Sequence, residues 1–152
     1  MLQDYYVEDQ GSSLDAWLAG DKARSLQLME AEVDHEFVAM CHQKITQGVK
    51  LLRVHLVGRP LTPYLRWEIE YHKKVNQGMA GEKLFLADKN DVRDLDMPAG
   101  DLMIFDGEKA VVNTYNASGK MTAETFYDQP SELEPLLKIK QKIMRAAKPL
   151  EA

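Results

Sequence analysis

A chain of 152 residues with 45% hydrophobic and 28% charged side chains has the balance of one globular domain that buries its own core. Its formal net charge of −5 excludes the global cationic field that drives sequence-independent phosphate binding, so direct nucleic-acid binding is not expected. The single cysteine, Cys41, excludes an internal disulfide; Met1-Leu2-Gln3-Asp4 lacks the basic stretch of a signal peptide and no apolar run is long enough for a bilayer, so the expected setting is the cytoplasm.

In chain order, Gly11 to Gly20 carries a Ser cap, apolar Leu14, Trp17 and Leu18, and a terminal Gly, which predicts a short helix. Arg24 to Glu32 satisfies two periods at once: Leu26 and Leu28 alternate as in a strand, whereas Leu28, Met29 and Glu32 suit a helix. Residues 1–33 therefore read as a less regular N-terminal extension. Asp34 caps a helix through Ile45, with Phe37, Val38, Cys41 and Ile45 at helical spacing and Gly48 as the stop. Val49 to Val57 alternates with period two and predicts a strand that ends at Gly58-Arg59-Pro60. Leu61 to Lys74, with Leu65, Ile69 and Lys73 in register, predicts a helix. A Gly-rich loop from Asn76 to Gly81, a short strand from Glu82 to Leu86 and an acidic loop from Asp88 to Gly100 follow. Leu102–Phe105, Lys109–Thr114 and Thr122–Tyr127 predict a meander with turns at Asp106-Gly107 and Ala117-Ser118-Gly119. Pro130 and Ser131 open a last helix whose apolar stripe includes Leu133, Leu136, Ile139 and Ile143, and Pro149 ends it. The expected fold class is α/β, bordering on α+β: one domain over residues 1–152, with a single mixed β-sheet of about five to seven strands flanked by helices.

Arg53, Arg59, Tyr64, Arg66 and Glu68 form a dense polar cluster in the sequence. Arg forks bind carboxylate or phosphate through paired hydrogen bonds and Tyr adds a hydroxyl, a set suited to a small anionic ligand. The plainer reading is an Arg–Glu surface network, which includes Arg66 with Glu70 at i,i+4, and it is favoured for most of them. Arg53 is the exception: an Arg inside an otherwise apolar strand needs a partner, and Glu68, Glu82 or Asp106 can supply it. His35 and His42 share a helical face beside Cys41 without the closer spacing of a metal motif, and no phosphate-binding Gly loop, nucleophile elbow or C-x-x-C is present, so no metal or cofactor is expected. Trp17, Tyr64, Trp67 and Tyr71 read either as an interface or as core.

Residues Pro98 to Asn116, P-A-G-D-L-M-I-F-D-G-E-K-A-V-V-N-T-Y-N, resemble the catalytic stretch of phospholipase D-like enzymes, where H-x-K-x-x-x-x-D precedes a Gly-Ser-x-Asn patch. On that frame Asp106 keeps the Asp and Asn116 the last Asn. Ala99 stands where the nucleophilic His belongs, and Asp101 where the phosphate-binding Lys belongs. Such a site needs a neutral nucleophile and cations that stabilise developing negative charge, so Asp101 in the cation's place opposes catalysis. The alternative for Asp106-Gly107 is a tight hairpin that requires positive φ. His72-Lys73-Lys74 is literally H-x-K, but Met79 occupies its Asp position.

A second resemblance spans nearly the whole chain. Arg53-Val54, Pro60-Leu61-Thr62, Tyr64, Arg66, Glu68, Asn76, Ala80-Gly81-Glu82 and Trp17-Leu18-Ala19-Gly20 are similar to the motifs of a bacterial family of domains of unknown function with a P-L-T-x-Y-x-R-x-E signature. That family resembles a degenerate half of the phospholipase D-like fold, and many members look like companions of helix-turn-helix regulators. The resemblance implies a non-catalytic regulatory or ligand-binding domain, a homodimer, and a DNA-binding regulator as partner. Its ligand-binding residues are then Arg53, Arg59, Tyr64, Arg66, Glu68, Asp106 and Asn116. Two alternatives stand beside it: a phosphodiesterase or nuclease that sets His55 or His72 beside Arg53 and Arg66, and a protein-interaction module without a small ligand.

Overall fold

The structure is a computed structural model that describes residues 11–98 and 100–151; Ala99 and the Met1-Leu2-Gln3-Asp4 start lie outside the described residues. Three helices open it, α1 (Gly11–Leu18), α2 (Lys22–Ala31) and α3 (His35–Thr46). Each of the last two is started by an aspartate: Asp21 accepts from the Arg24 N–H at 2.9 Å, and Asp34 from those of Glu36 and Phe37 at 2.9 and 3.0 Å. The Arg24–Glu32 stretch, open to two readings in the sequence, is helical, because the Asp21 cap starts it and Ser25 and Met29, one turn apart, are buried. Glu32 at its end caps α1 in turn, accepting from the Ser12 N–H at 3.2 Å and the Ser13 N–H at 3.3 Å.

Strand β1 (Leu52–Val57) leads into α4 (Pro63–Tyr71), whose start is fixed by Thr62 accepting from the Leu65 N–H at 3.1 Å with Pro63 at the first position. The winding then widens into a π-helix, His72–Met79, in which the Ala80 N–H reaches the Val75 carbonyl at 2.8 Å. This corrects the Gly-rich loop expected over Asn76–Gly81. Val75 and Asn76 are 2% and 6% exposed, and their burial outweighs the roughly 1 kcal/mol that Gly78 costs a helix. Gly81, at φ +77°, ends the segment.

Strand β2 (Lys83–Asp88) runs parallel to β1, from Leu52↔Lys83 to Val57↔Asp88, with α4 and the π-helix as the crossover. A short 3-10 turn, Lys89–Val92, follows. Strands β3 (Gly100–Phe105), β4 (Lys109–Tyr115) and β5 (Met121–Tyr127) make an antiparallel meander, then α5 (Pro130–Ala146) returns the chain to β6 (Lys148–Pro149), antiparallel to β2. The α/β class is as expected, but the strands form two three-stranded sheets, β1-β2-β6 and β3-β4-β5, rather than one. The edge of β2 away from β1 is taken by β6, which returns from the far end of the chain, and not by β3.

Two apolar cores result. One joins Leu56, Ala87, Val92 and Ala110 to the α5 stripe of Leu133, Leu136, Ile139 and Ile143. The other joins Leu14, Met29 and Val33 to Tyr64, Leu65, Trp67 and Val75. Tyr64 and Trp67, 4% and 3% exposed, thus serve the domain's own core, and Trp17 ties α1 to α4 through its Nε1–H on the Pro63 carbonyl at 3.1 Å. Among the described residues no helix is long and apolar enough to cross a membrane.

Gly100 pairs with Thr114 so closely that a Cβ there would overlap the Asn113 carbonyl. Because the obstacle is backbone, Gly100→Ala is expected to cost about 3 kcal/mol, read as a lower urea midpoint at unchanged slope.

Candidate functional site

Period two gives β1 two chemistries. Val54 and Leu56 pack into the α5 core, while Arg53 and His55 face α4 and the π-helix. That helical unit answers with Tyr64, Glu68, His72 and Asn76, one polar side chain every fourth position. In a regular helix a step of four overshoots one turn by about 40° and the row would drift away. Beyond His72 the wider winding holds more residues per turn, which opposes the drift and keeps Asn76 beside His72.

The contacts run in one chain. Arg53 grips Glu82 with both arms, Nε to Oε2 at 2.8 Å and Nη2 to Oε1 at 3.2 Å. Asn76 donates from Nδ2 to Glu82 Oε1 at 3.3 Å, and its Oδ1 lies 2.9 Å from His72 Nδ1. A carboxylate only accepts, so Asn76 must turn its amide nitrogen to Glu82 and its oxygen to His72; His72 therefore carries its proton on Nδ1 and a lone pair on Nε2. Tyr64 donates to Glu68 Oε1 at 3.1 Å. The Glu68 carboxyl stands between two imidazoles, Oε2 at 3.4 Å from His55 Nε2 and Oε1 at 4.0 Å from His72 Nε2, with the rings 5.8 Å apart. Neither approach is a hydrogen bond: Glu68 Oε2 and the Nε2 atoms of both histidines are buried with no hydrogen-bond partner among the described residues. Donor atoms of His55, Glu68 and His72 all lie within 4.8 Å of one another, so these three side chains are a set that can hold a cation.

Burial sets the charges. His55, Glu68 and His72 are 2%, 4% and 8% exposed. Desolvation pushes His55 down to about 3, helped by the His72, Arg53 and Lys89 charges. It pushes His72 down to about 4, aided by Arg53 and opposed by the Asn76 hydrogen bond. Desolvation raises Glu68 to about 7 against the Tyr64 hydrogen bond, with the Asp101 charge adding to the rise. Both imidazoles are accordingly neutral near pH 7. Glu82 goes the other way: burial raises it, but the Arg53 hydrogen bonds and charge prevail and hold it below the usual carboxylate range. Asp101 acts on Arg53 and Glu68 from the second sheet, where Tyr115 donates to its Oδ2 at 2.8 Å.

Of the residues singled out in the sequence, Arg53, Tyr64 and Glu68 come together here, and Glu82 is the Arg53 partner. Arg59 is exposed beyond β1 and pairs with Asp88 at 3.4 Å. Arg66 is exposed on α4, whose buried residues are its neighbours. Asp106 and Gly107 take φ of 53° and 79° in the β3–β4 turn, and the Glu108 N–H returns to the Phe105 carbonyl at 3.0 Å, the hairpin reading of Asp-Gly. Asn116 caps the next turn, its Oδ1 accepting from the Ser118 and Lys120 N–H groups at 3.0 Å. Asp106 and Asn116 therefore flank opposite ends of β4 and do not meet at Arg53. Asn76 and the joint role of His55 with His72 are what sequence reasoning missed; Glu68-x-x-x-His72 on a helix, i and i+4, was the available signal.

The Arg53–Glu82 pair yields a measurable sign. Glu82 is depressed in the folded state, so its contribution is present above its unfolded value and lost as pH falls through the folded one. Arg53→Met strands a carboxylate 7% exposed. Because the Arg53 side chain is itself 36% exposed, the expected cost near pH 7 is about 1–3 kcal/mol, discounted from that of a fully buried pair. Urea melts at pH 7 and pH 3 check it, with the difference from wild type shrinking in acid. No curated protein and no solved structure matches the chain. The comparison with protein families matches residues 1–152 to Domain of unknown function (DUF6879), and the chain belongs to that family.

Proposed function

We propose that this is a cytoplasmic, non-catalytic regulatory domain that seats a small ligand in the polar cluster between β1 and the α4–π unit, works as a homodimer, and partners a DNA-binding regulator. One observation carries the reading. Three side chains, His55, Glu68 and His72, turn toward one another buried polar atoms that have no hydrogen-bond partner among the described residues. Each such atom costs roughly 1–3 kcal/mol, and apolar groups of equal volume are in general no less stable, so stability is a poor explanation of them. A site awaiting a ligand does.

The strand–turn–strand from Gly100 to Tyr115 is compatible with the degenerate phospholipase D-like half, and Asp101 in the cation's place supports a non-catalytic role. The outer face of the second sheet supports association. Met103 stands opposite Val111, and Val111 opposite Phe126, an apolar row whose ends are 38% and 73% exposed. The phosphodiesterase alternative draws on the same histidines, with His55 and His72 rings 5.8 Å apart near Arg53.

Thermal unfolding against inorganic phosphate, citrate and divalent chloride salts tests the seat. One class raises the midpoint by roughly 5–10 °C, the response to about 2.7 kcal/mol of linkage near a hundredfold excess over Kd, and Glu68→Gln abolishes the rise. A panel without effect on the wild-type domain rejects the reading. Turnover of bis(p-nitrophenyl) phosphate that disappears in His55→Ala or His72→Ala replaces it with the enzyme. For the dimer, sedimentation velocity of Phe126→Asp is expected to show monomer at concentrations where wild type sediments as a dimer, the affinity falling at least about tenfold for a charge set in the apolar row.

A further inference from the structure

We infer that His55, Glu68 and His72 form a binding site for one divalent first-row transition cation, Zn²⁺ being the reference ion. This rests on the reading that the polar cluster is the ligand seat, and it names the ligand.

The argument starts from ligand types. Two imidazoles and a carboxylate with no thiolate among them suit zinc and its neighbours in the first row, and three protein ligands leave a further coordination position open. Spacing agrees. Metal bonds of about 2.0–2.2 Å at tetrahedral to octahedral angles put neighbouring donors roughly 2.8–3.6 Å apart. Glu68 Oε2 and His55 Nε2 are 3.4 Å apart, and His72 Nε2 lies 4.0 Å from Oε1 of the same carboxyl. All three donor sets already lie within 4.8 Å.

The His72 tautomer is also the required one. Asn76, oriented by Glu82, accepts from His72 Nδ1 and leaves the Nε2 lone pair directed at Glu68. Tyr64 holds Glu68 Oε1, leaving Oε2 without a hydrogen-bond partner among the described residues. These are the outer contacts that fix tautomer and orientation around a metal. Rigidity follows from the fold: Glu68 and His72 are one turn apart at the α–π junction, and His55 lies on the adjoining strand. Tyr64 and Asn76 are positioning residues in this arrangement, since they act through the ligands.

The experiment uses the whole chain, dialysed against a chelator and then titrated with Zn²⁺ by calorimetry and with Co²⁺ by visible absorption. Expected are one ion per chain and cobalt d–d bands without the near-ultraviolet charge-transfer band that a Cys41 thiolate would produce. Glu68→Gln and His72→Ala lower affinity by at least roughly a hundredfold, and Asn76→Ala by about ten- to a hundredfold, the range for an outer contact. The His35→Ala/His42→Ala variant, which removes the exposed helix α3 imidazoles, binds as wild type does. Loss of binding in that variant, unchanged affinity in folded Glu68→Gln, or a thiolate band overturns the site. Should Glu68→Gln or His72→Ala not fold, the wild-type cobalt spectrum and the Asn76→Ala affinity decide alone. A wild-type chain that binds neither ion while phosphate or citrate raises its midpoint through Glu68 removes the metal and leaves the seat; no response to any probe removes both.

Discussion

The Glu68 carboxyl buried between two imidazoles is the constraint around which the rest of the domain is arranged. A group that loses so much hydration must be surrounded by elements that cannot relax away from it. Here the surround is β1 on one side and the α4–π unit on the other, and each is fastened by its own apolar core. Leu56 and Val54 anchor the back of β1 to α5, while Leu65, Trp67 and Val75 anchor the helical unit to α1 and α2. The polar cluster lies at the seam between the two cores. Tyr64, Trp67 and Tyr71 pack as tilted ring pairs at centroid distances of 5.7 and 5.6 Å along the helix.

Much of the fold was legible because local chemistry and burial agreed. Helix α3, strand β1, the meander and α5 each combine an unambiguous period with a cap or a breaker, and each falls on the stretch that pattern marked, although β1 begins at Leu52 and not at Val49. The division into two sheets was not legible, because it depends on the two residues of β6 returning from far along the chain to close β2. The π-helix was hidden for a different reason. Gly78 and Asn76 signal a loop in isolation, and the burial of Val75 together with the hydrogen bonds of a buried Asn76 to His72 and Glu82 reverses that preference.

The site divides along the same line. An arginine in an apolar strand announces a buried partner by electrostatics alone, and Glu82 was among the partners such reasoning allows. Asp106 and Asn116 matched a catalytic spacing, yet each has a full local explanation in turn geometry. The His55–Glu68–His72 grouping crosses from a strand to a helix, and sequence spacing carries no information about that crossing. What the sequence did contain was the short-range half, a carboxylate and an imidazole one helical turn apart.

The widened winding after His72 also makes chain length, and not only residue identity, part of the recognition apparatus. A regular helix of the same rise would accommodate fewer amino acids between Tyr71 and Ala80. Loss of one residue from that span would tighten the coil and rotate the amide of Asn76 off its line. Every side chain around Glu68 would still be encoded, but the imidazole that depends on that amide would be free to exchange tautomers.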